Sequence, residues 1–319
     1  MRAFRIETPG ESPRLVQIAT PDPGPGEVAI KISACGLNFA DLLMIEGTYQ
    51  DTPALPFTLG MEVAGVVTAL GEGVTAPAVG TRVAVFGGQG GLAEQGVFDA
   101  ARCVTIPDAM PFETAAGFLV AYGTSHLALT HRARLNAGER LLVLGAAGGV
   151  GLTAVELGAA MGAEVIAVAR GADKLAVAQK AGAAHLIDSG THDLRDRVRA
   201  LGGADVVYDA VGGDAFAAAL RATNPEGRIL TIGFASGTVP QIPANILLVK
   251  NITIHGVYWG GYMRFAPKVV TDSLDALITM YAAGQIRPHI GATYPLDRVD
   301  DALALLKSRK STGKVVVTT

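Results

Sequence analysis

A glycine-rich stretch between two apolar segments constrains the fold more than any other feature of the chain. Residues 141–170 read LLVLGAAGGVGLTAVELGAAMGAEVIAVAR. The apolar run Leu141–Leu144 predicts a buried strand, Leu152–Met161 predicts a helix, and the run after Gly162 predicts a second strand. Glycines at the strand-to-helix turn let a pyrophosphate approach backbone N–H groups at the helix N-terminus, where the helix dipole favours an anion. The stretch therefore predicts a dinucleotide-binding unit.

The glycine spacing departs in one place from the GxGxxG pattern of such units. Ala146, Gly148 and Gly151 occupy the three positions, so alanine replaces the first glycine. The alternative interpretation is a turn that only packs a helix against a strand. The strand before the turn and the helix and strand after it are the context that the pattern requires, and they favour dinucleotide binding.

The rest of the chain predicts two domains of different architecture. Its 319 residues exceed the roughly 250 to 300 at which a single hydrophobic core stops growing. Before about residue 119, short apolar runs are separated by Pro and Gly clusters, which is typical of a β-rich domain. From 120 to 256, apolar runs alternate with helical stretches, which predicts a doubly wound parallel sheet in an α/β domain. The two amphipathic helices and the strand that follow fit either domain by pattern alone.

The charge that follows the second strand indicates which nucleotide binds. An Asp or Glu at this strand end would bind the ribose hydroxyls of NAD, but the residue is Ala169, and Arg170 and Lys174 follow it. Two cations without a carboxylate favour the 2′-phosphate of NADPH, because they offer charge-assisted hydrogen bonds. The alternative is that both are ordinary solvated charges at a helix start.

Composition excludes several classes of partner. The net charge is -3 and no block of five like charges occurs, so we expect a small-molecule partner and no nucleic acid. Cys35 and Cys103 are too few for a disulfide framework, and the N-terminal residues lack the apolar run of a signal peptide, which favours the cytoplasm. Glu156 and Glu164 argue against a membrane span within the apolar residues 141–169.

Several motifs together give the chain a family resemblance that covers nearly all of its length. They are ACGLNFADLL, GTY, LPFTLGMEVAGVV, GAAGGVG, ADVVYDAVGGD, NILLVKN and RKSTGKVVV. With them the chain resembles the medium-chain dehydrogenase/reductase superfamily and, within it, the zinc-free quinone oxidoreductase branch that includes zeta-crystallin. The resemblance implies a Rossmann domain over 120–256 and a β-rich, GroES-like catalytic domain formed by 1–119 with 257–319.

The resemblance also implies that no metal is bound. Zinc alcohol dehydrogenases of this superfamily carry a Cys and a His at the positions of Asn38 and Phe39, and a second His at the position of Met61, before Glu62. An amide, a phenyl ring and a thioether do not hold zinc. We read Cys35 as a small buried side chain. No catalysis is assigned to the histidines, which form no ligand pair and are His126, His131, His185, His192, His255 and His289.

Three residues of the first domain are candidates for catalysis by resemblance. Tyr49 matches the proton donor of related enoyl thioester reductases, although it is equally interpreted as a loop tyrosine that covers the cleft. The amide hydrogens of Asn38 are candidate donors to a substrate oxygen. Asp41 either takes part in the chemistry or bonds backbone amides.

Residues expected to contact the cofactor lie mainly in the second domain. Ser189 stands where some bacterial relatives have a tyrosine that contacts the 2′-phosphate, so the phosphate rests on fewer groups or the preference for NADPH is relaxed. The predicted cofactor-binding residues are Thr124, Ala147, Gly148, Gly149, Val150, Arg170, Lys174, Ser189, Gly233, Phe234 and Lys314.

Three functions are consistent with these residues. The first is an NADPH-dependent reductase of quinones or other α,β-unsaturated carbonyl compounds, and the second is an enoyl thioester reductase. The third is a non-catalytic NADPH-binding protein, such as a lens crystallin or an RNA-binding relative, although the acidic pI of about 6.1 disfavours RNA. We also expect a homodimer, because the run ITIHGVYW predicts an apolar strand at the edge of the parallel sheet.

Overall fold

The contacts within the chain divide it into two compact units. The computed structural model describes residues 1–8, 10–190 and 193–319. Unit 1 comprises Met1–Val120 with Pro288–Thr319, and unit 2 comprises Ala121–Arg287.

The first part of unit 1 is mainly β-structure. Its strands and helices are β1 (Arg2–Ile6), β2 (Arg14–Gln17), β3 (Glu27–Gly36), α1 (Phe39–Ile45), β4 (Phe57–Thr58), β5 (Glu62–Leu70), β6 (Arg82–Phe86), β7 (Gln95–Asp99), β8 (Cys103–Thr105) and α2 (Phe112–Ala116). A 3₁₀ turn, Ala100–Arg102, joins β7 to β8. The helix α3 (Leu119–His126) contains the division between the units, and a π-helical segment, Leu127–Arg132, follows it.

Unit 2 alternates strands with helices. They are β9 (Arg140–Leu144), α4 (Gly149–Ala160), β10 (Glu164–Ala169), α5 (Ala172–Lys180), β11 (His185–Asp188), α6 (Leu194–Ala200), β12 (Ala204–Asp209), α7 (Gly213–Ala222), β13 (Thr223–Thr231), α8 (Ala244–Lys250), β14 (Thr253–Gly256), α9 (Trp259–Phe265) and α10 (Pro267–Ala282). The chain then returns to unit 1 with β15 (Ile290–Pro295), a 3₁₀ turn (Leu296–Arg298), α11 (Val299–Lys307) and β16 (Lys314–Thr318).

The strands of unit 1 form two sheets around one apolar core. A three-stranded sheet has the order β2-β1-β4, and a larger sheet has the order β15-β16-β3-β5-β6-β8, with β7 paired to β3. Apolar side chains of β3 and β5 alternate toward the core, where Ile30, Ile32 and Val63 are buried. The end of β3 and the starts of β5 and β16 bring Asn38, Glu62 and Lys314 together.

All six strands of unit 2 are parallel, in the order β11-β10-β9-β12-β13-β14. The predicted α/β class with a doubly wound parallel sheet is confirmed. The strand order reverses between β9 and β12, and ligands of such sheets bind at the carboxyl ends of the strands beside this reversal. Among the described residues, no helix combines the length and apolarity needed to cross a bilayer.

The segment 257–287 lies in unit 2, whereas the sequence assigned all of 257–319 to the first domain. The helices α9 and α10 pack on the segment that follows α3. The Nδ1 atom of His126 lies 2.8 Å from Ser273 Oγ, and the ring of Tyr262 contacts His131 edge-on. An amphipathic pattern shows that a helix has a buried face but not which domain covers it, so the sequence did not locate this boundary.

Candidate active site

A buried ion pair lies where β3 ends. Lys314, the first residue of β16, is 5% exposed, and Glu62, the first residue of β5, is 1% exposed. Lys314 Nζ lies 2.6 Å from Glu62 Oε1. The ammonium also donates to the Leu37 carbonyl at 2.8 Å and to Asn38 Oδ1 at 2.7 Å. All three N–H bonds of Lys314 are therefore used within unit 1, and the cofactor contact predicted for this residue stays a prediction.

The carboxamide of Asn38 is held at both ends. Its oxygen accepts from Lys314, and its Nδ2 donates to Glu62 Oε1 at 3.0 Å and to the Gly36 carbonyl at 3.3 Å. Because an ammonium only donates and a carboxylate accepts, these partners determine which end of the amide carries the oxygen. Both amide hydrogens are donated within the protein, so donation to a substrate stays a prediction that requires Asn38 to change partners.

Asp41 is fully buried in the first turn of α1. Its Oδ2 accepts the backbone N–H of Asn38 at 2.7 Å, while its Oδ1 makes no hydrogen bond of ordinary geometry with the described residues. Burial raises the pKa of Asp41 to about 6, although the Asn38 N–H and the Lys314 charge act in the opposite direction. The sequence left two roles open for Asp41, one in the chemistry and one in bonding backbone amides. The contact with the Asn38 N–H is of the second kind.

The side chains at the predicted metal positions lie around this loop. Met61 is buried, and Phe39, the first residue of α1, is 38% exposed. Cys35 is buried in the core of unit 1, as predicted, and its burial together with the charges of Asp41 and Glu62 raises its pKa well above the ordinary value. Within the described ranges, no three His, Cys, Asp or Glu side chains form a group able to hold a metal ion.

Tyr49 lies in the turn after α1. Its half-buried ring packs against the core of unit 1, and its carbonyl accepts from the N–H and the hydroxyl of Thr52 at 3.2 and 2.7 Å. These contacts stabilise the loop, and none of them involves the phenol hydroxyl. The proton-donor role of Tyr49 stays a prediction.

The glycine loop of unit 2 has the geometry that a pyrophosphate site requires. Gly145, directly after β9, has a φ of 71°, which favours glycine. Gly148 is the N-cap of α4, and a Cβ on Gly151 would lie 2.1 Å from the Gly145 carbonyl oxygen. The helix therefore packs directly on the loop and presents its first N–H groups, which have no partner inside the helix. The predicted cofactor residues at this helix start are Ala147, Gly148, Gly149 and Val150.

Buried hydroxyl groups hold this helix start in place. Ser125 Oγ lies 2.8 Å from both Tyr208 Oη and Thr153 Oγ1, and it donates to the Val150 carbonyl at 3.0 Å. These bonds join α3, β12 and α4. Thr124, a predicted cofactor residue, is the buried neighbour of Ser125. The sequence did not assign Ser125, Thr153 or Tyr208, and the only signal was the presence of hydroxyl groups in apolar runs.

The predicted 2′-phosphate residues lie together at the ends of β10 and β11. Arg170 follows β10, Lys174 lies in the first turn of α5, and the Ser189 N–H donates to the Ala169 carbonyl at 3.0 Å. Burial, and then the charge of Arg170, lower the pKa of Lys174, so the two cations are close enough to repel each other. Asp188 Oδ1 accepts two backbone N–H groups of the adjoining loops at 3.3 and 2.8 Å. Such a cation pair favours a bound dianion.

The loops after β12 and β13 contact each other. Asp209, which is buried, accepts the N–H groups of Val211 and Gly212 at 2.8 and 2.9 Å, and burial raises its pKa. Gly233 donates its N–H to the Asp209 carbonyl at 3.3 Å, and Phe234 Cδ1 would lie 3.1 Å from a Cβ on Gly212. The predicted residues Gly233 and Phe234 thus lie at the carboxyl ends of the central strands. The sequence did not identify Asp209, although an Asp before a Gly pair is a turn signal.

Comparison with known proteins agrees with both halves of this description. Residues 24–108 match the family described as the alcohol dehydrogenase GroES-like domain, and residues 149–275 match the family described as zinc-binding dehydrogenase. The quinone oxidoreductase-like protein 2 homolog of Nematostella vectensis is 40% identical over 309 residues, which cover 95% of this chain and 84% of the relative. The chain belongs to the quinone oxidoreductase branch of the medium-chain dehydrogenase/reductase superfamily.

Solved structures of quinone oxidoreductases share the whole fold. The Thermus thermophilus quinone oxidoreductase, solved alone and in complex with NADPH, has a TM-score of 0.89 and 34% identity over 100% of both chains. The Escherichia coli quinone oxidoreductase in complex with NADPH has a TM-score of 0.90 and 29% identity, over 100% of this chain and 99% of that one. The predicted combination of a Rossmann domain with a GroES-like domain is confirmed.

Several histidines of this quinone oxidoreductase family member have side-chain partners among the described residues. Besides the contact of His126 with Ser273, His185 Nε2 lies 2.7 Å from Glu164 Oε1. His192 lies outside the described residues. The prediction that no histidine is catalytic stays a prediction.

Proposed function

We propose that this oxidoreductase transfers a hydride from NADPH to a quinone or another α,β-unsaturated carbonyl compound, without zinc. The observation that carries the proposal is the cation pair Arg170 and Lys174 beside Ala169, at the strand end where a carboxylate would select NAD. The NADPH complexes of the Thermus thermophilus and Escherichia coli quinone oxidoreductases support the same cofactor.

The residues of unit 2 fit the phosphates of NADPH. The N-terminus of α4 offers backbone N–H groups and a favourable dipole to the pyrophosphate, while Arg170 and Lys174 offer charge-assisted hydrogen bonds to the 2′-phosphate. When bound, NADPH supplies the hydride. The protein's part is to hold the nucleotide in one orientation and to exclude competing geometries.

An electrophilic carbon suits a site without a metal. In a quinone or enone, charge that arrives with the hydride delocalises onto oxygen, so no Lewis acid is needed to polarise the substrate. The donor set at Asn38, Phe39 and Met61 is an amide, a phenyl ring and a thioether, which zinc does not prefer. The ammonium of Lys314, 2.7 Å from Asn38 Oδ1, further disfavours a second cation at this position.

Two measurements test the function. Fluorescence titration should show saturable NADPH binding, and NADPH oxidation should be observed with at least one acceptor from a panel of quinones, enones, 2-enals and enoyl-CoA esters. Elemental analysis should find no stoichiometric zinc, and activity should survive chelation. Binding without turnover on any acceptor would indicate a non-catalytic NADPH-binding protein. Turnover confined to enoyl-CoA esters would indicate a thioester reductase.

Substitution of Tyr49 distinguishes two classes of substrate, enones and quinones. Reduction of an enone requires a proton at the α-carbon, and a positioned phenol accelerates such a step by roughly 10² to 10⁴. A reduced quinone takes protons from water. Tyr49→Phe should therefore lower kcat on enones much more than on quinones, with NADPH binding unchanged. Equal losses on both substrates would make Tyr49 a packing residue of the loop.

A further inference from the structure

The proposed function leaves one buried feature of unit 1 unexplained. Lys314 and Glu62 form an ion pair almost fully removed from solvent, and burial of such a pair is costly unless its remaining hydrogen-bonding groups are satisfied. Here they are. Three acceptors converge on the ammonium, and Glu62 Oε2 accepts the N–H of Val120 at 3.0 Å in the first turn of α3.

The backbone around the pair approaches it closely. A Cβ on Gly117 would lie 3.1 Å from Lys314 Cβ, and a Cβ on Gly36 would lie 2.1 Å from the Ala116 carbonyl oxygen and 3.0 Å from Glu62 Oε1. Glu62 therefore lies beside the backbone of Gly36, and the stem of Lys314 lies against that of Gly117. Its ammonium has little freedom to leave the Leu37 and Asn38 acceptors.

The ammonium acts on the loop that carries the candidate catalytic residues. It bonds the Leu37 carbonyl and the side chain of Asn38 directly, and the backbone N–H of Asn38 in turn bonds Asp41. A displacement of the ammonium would thus free the orientation of the Asn38 carboxamide and move the start of α1. Lys314 reaches this loop from a strand 276 residues further along the chain.

We propose that Lys314 is a positioning residue of the reductase, whose ammonium, paired with Glu62, fixes Leu37 and Asn38 for turnover and does not bind the cofactor. The inference rests on the proposed function, because it assigns the loop to that reaction. It predicts that loss of the pair lowers kcat and leaves the affinity for NADPH unchanged.

The test compares variants that separate charge, fold and position. Lys314→Met leaves Glu62 buried without its partner and is expected to fold poorly. The double variant Lys314→Met/Glu62→Gln removes both charges and should fold. Lys314→Arg keeps the charge, but a planar guanidinium matches three convergent acceptors less well than an ammonium. Lys31→Met, at an exposed position of β3, is the control.

Each variant is measured for melting temperature, for the Kd of NADPH and for kcat and KM on the best acceptor. The double variant should melt close to the wild type and bind NADPH within about twofold, while kcat falls between roughly 10- and 100-fold, as misplacement of a catalytic loop does. Lys314→Arg should retain more activity than the double variant, and the control should match the wild type.

Three results would overturn the inference. A double variant with wild-type kcat would make the pair purely structural. A tenfold rise in the Kd of NADPH with kcat retained would make Lys314 a cofactor ligand. Absence of turnover in the wild type would remove the proposed function and the inference together, whereas turnover in the wild type with either of the first two results removes the inference alone.

Discussion

At the scale of single residues, the charge at the end of β10 is the proposed basis of the preference for NADPH. Ala169 places no carboxylate at the end of β10, and the charge of Arg170 contributes to lowering the pKa of Lys174. Two like charges held close together repel each other, and a bound 2′-phosphate would offset this repulsion. This gives the nucleotide preference a cause that substitution can test.

Arg170→Ala or Lys174→Ala should raise the KM for NADPH by roughly tenfold or more and leave the KM for NADH almost unchanged. Each removes one charge-assisted contact of about 1.4 kcal/mol or above. Steady-state kinetics with both nucleotides provide the measurement. Lys180→Ala, at the exposed far end of α5, is the matched control. Equal losses with both nucleotides would mean that the two residues support the fold.

Asp41 links the site to pH through its burial. Its pKa rises from 3.8 to about 6 in the folded protein, so between these values the folded state binds more protons than the unfolded state. The free energy of unfolding therefore falls as pH rises through this window. The shift of about 2 units corresponds to about 3 kcal/mol, present at low pH and lost above the folded pKa.

Asp41→Asn should remove this pH dependence, because an amide keeps the shape and an oxygen for the Asn38 N–H but carries no charge. The free energy of unfolding of the variant minus that of the wild type should increase between about pH 4 and pH 7. Urea unfolding at several pH values measures the difference, in which other titrating groups cancel. If this difference in the free energy of unfolding did not change with pH, the pKa of Asp41 would not be raised by its burial.

Residues that act through local sequence were predictable, and those that act through distant contacts were not. Arg170 and Lys174 follow a strand of the βαβ pattern, so their place was set by a neighbouring element. Lys314 and Glu62 are 252 residues apart, and the sequence around either residue does not indicate that their side chains pair. The contacts of Lys314 with Glu62 and Asn38 were therefore not predicted, and the cofactor contact that the resemblance implied for Lys314 stays a prediction.

At the scale of elements, Gly148 and Gly151, two of the glycines around the start of α4, have different constraints. A Cβ on Gly151 would collide with the Gly145 carbonyl oxygen, whereas a Cβ on Gly148 has its closest neighbour at 3.5 Å, which is ordinary contact. Gly151 is thus required by the packing of the helix on the loop. No neighbour in the described part of the chain requires Gly148, which is at the N-cap that would face a pyrophosphate.

The pair Gly151→Ala and Gly148→Ala should therefore separate folding from binding. Gly151→Ala should lower the melting temperature, because the helix must shift away from the loop, and weaken binding of NADPH and NADH alike. Gly148→Ala should leave the melting temperature unchanged and still weaken the binding of both nucleotides. Thermal unfolding and fluorescence titration give the two readouts. A Gly148→Ala variant with unchanged affinities would exclude close approach of the nucleotide at this position.

The element pattern itself was largely readable from sequence. The apolar runs between 120 and 256 predicted the six parallel strands, because each run is short, apolar and bounded by turn residues. The segment 257–287 was harder, since its helices bury one face against α3 and the π-helical segment, and amphipathic spacing does not identify the covering partner. The π-helical segment Leu127–Arg132 has no periodic signal that distinguishes it from α3.

At the scale of the whole molecule, unit 2 presents an unpaired sheet edge. β14 pairs with β13 on one side, and no strand within the described residues pairs with its other side. Just before it, α8 exposes Leu248 by 78% and Val249 by 75%. An open strand edge beside exposed apolar side chains is a common basis for symmetric association, in which the same surface of two copies meets.

The predicted homodimer follows from this surface and remains a proposal. Light scattering at micromolar concentration should give about 65 kDa, twice the chain mass of 32.7 kDa. Leu248→Glu/Val249→Glu should shift the mass toward one chain, because burying two carboxylates against their symmetry mates costs more than the apolar contact contributes. Val79→Glu, at an exposed apolar position of unit 1, should leave the dimer intact. A wild type of one chain mass would refute the dimer, and a dimer that survives both substitutions on α8 would place its interface elsewhere, so that the edge of β14 would need its own test by substitution.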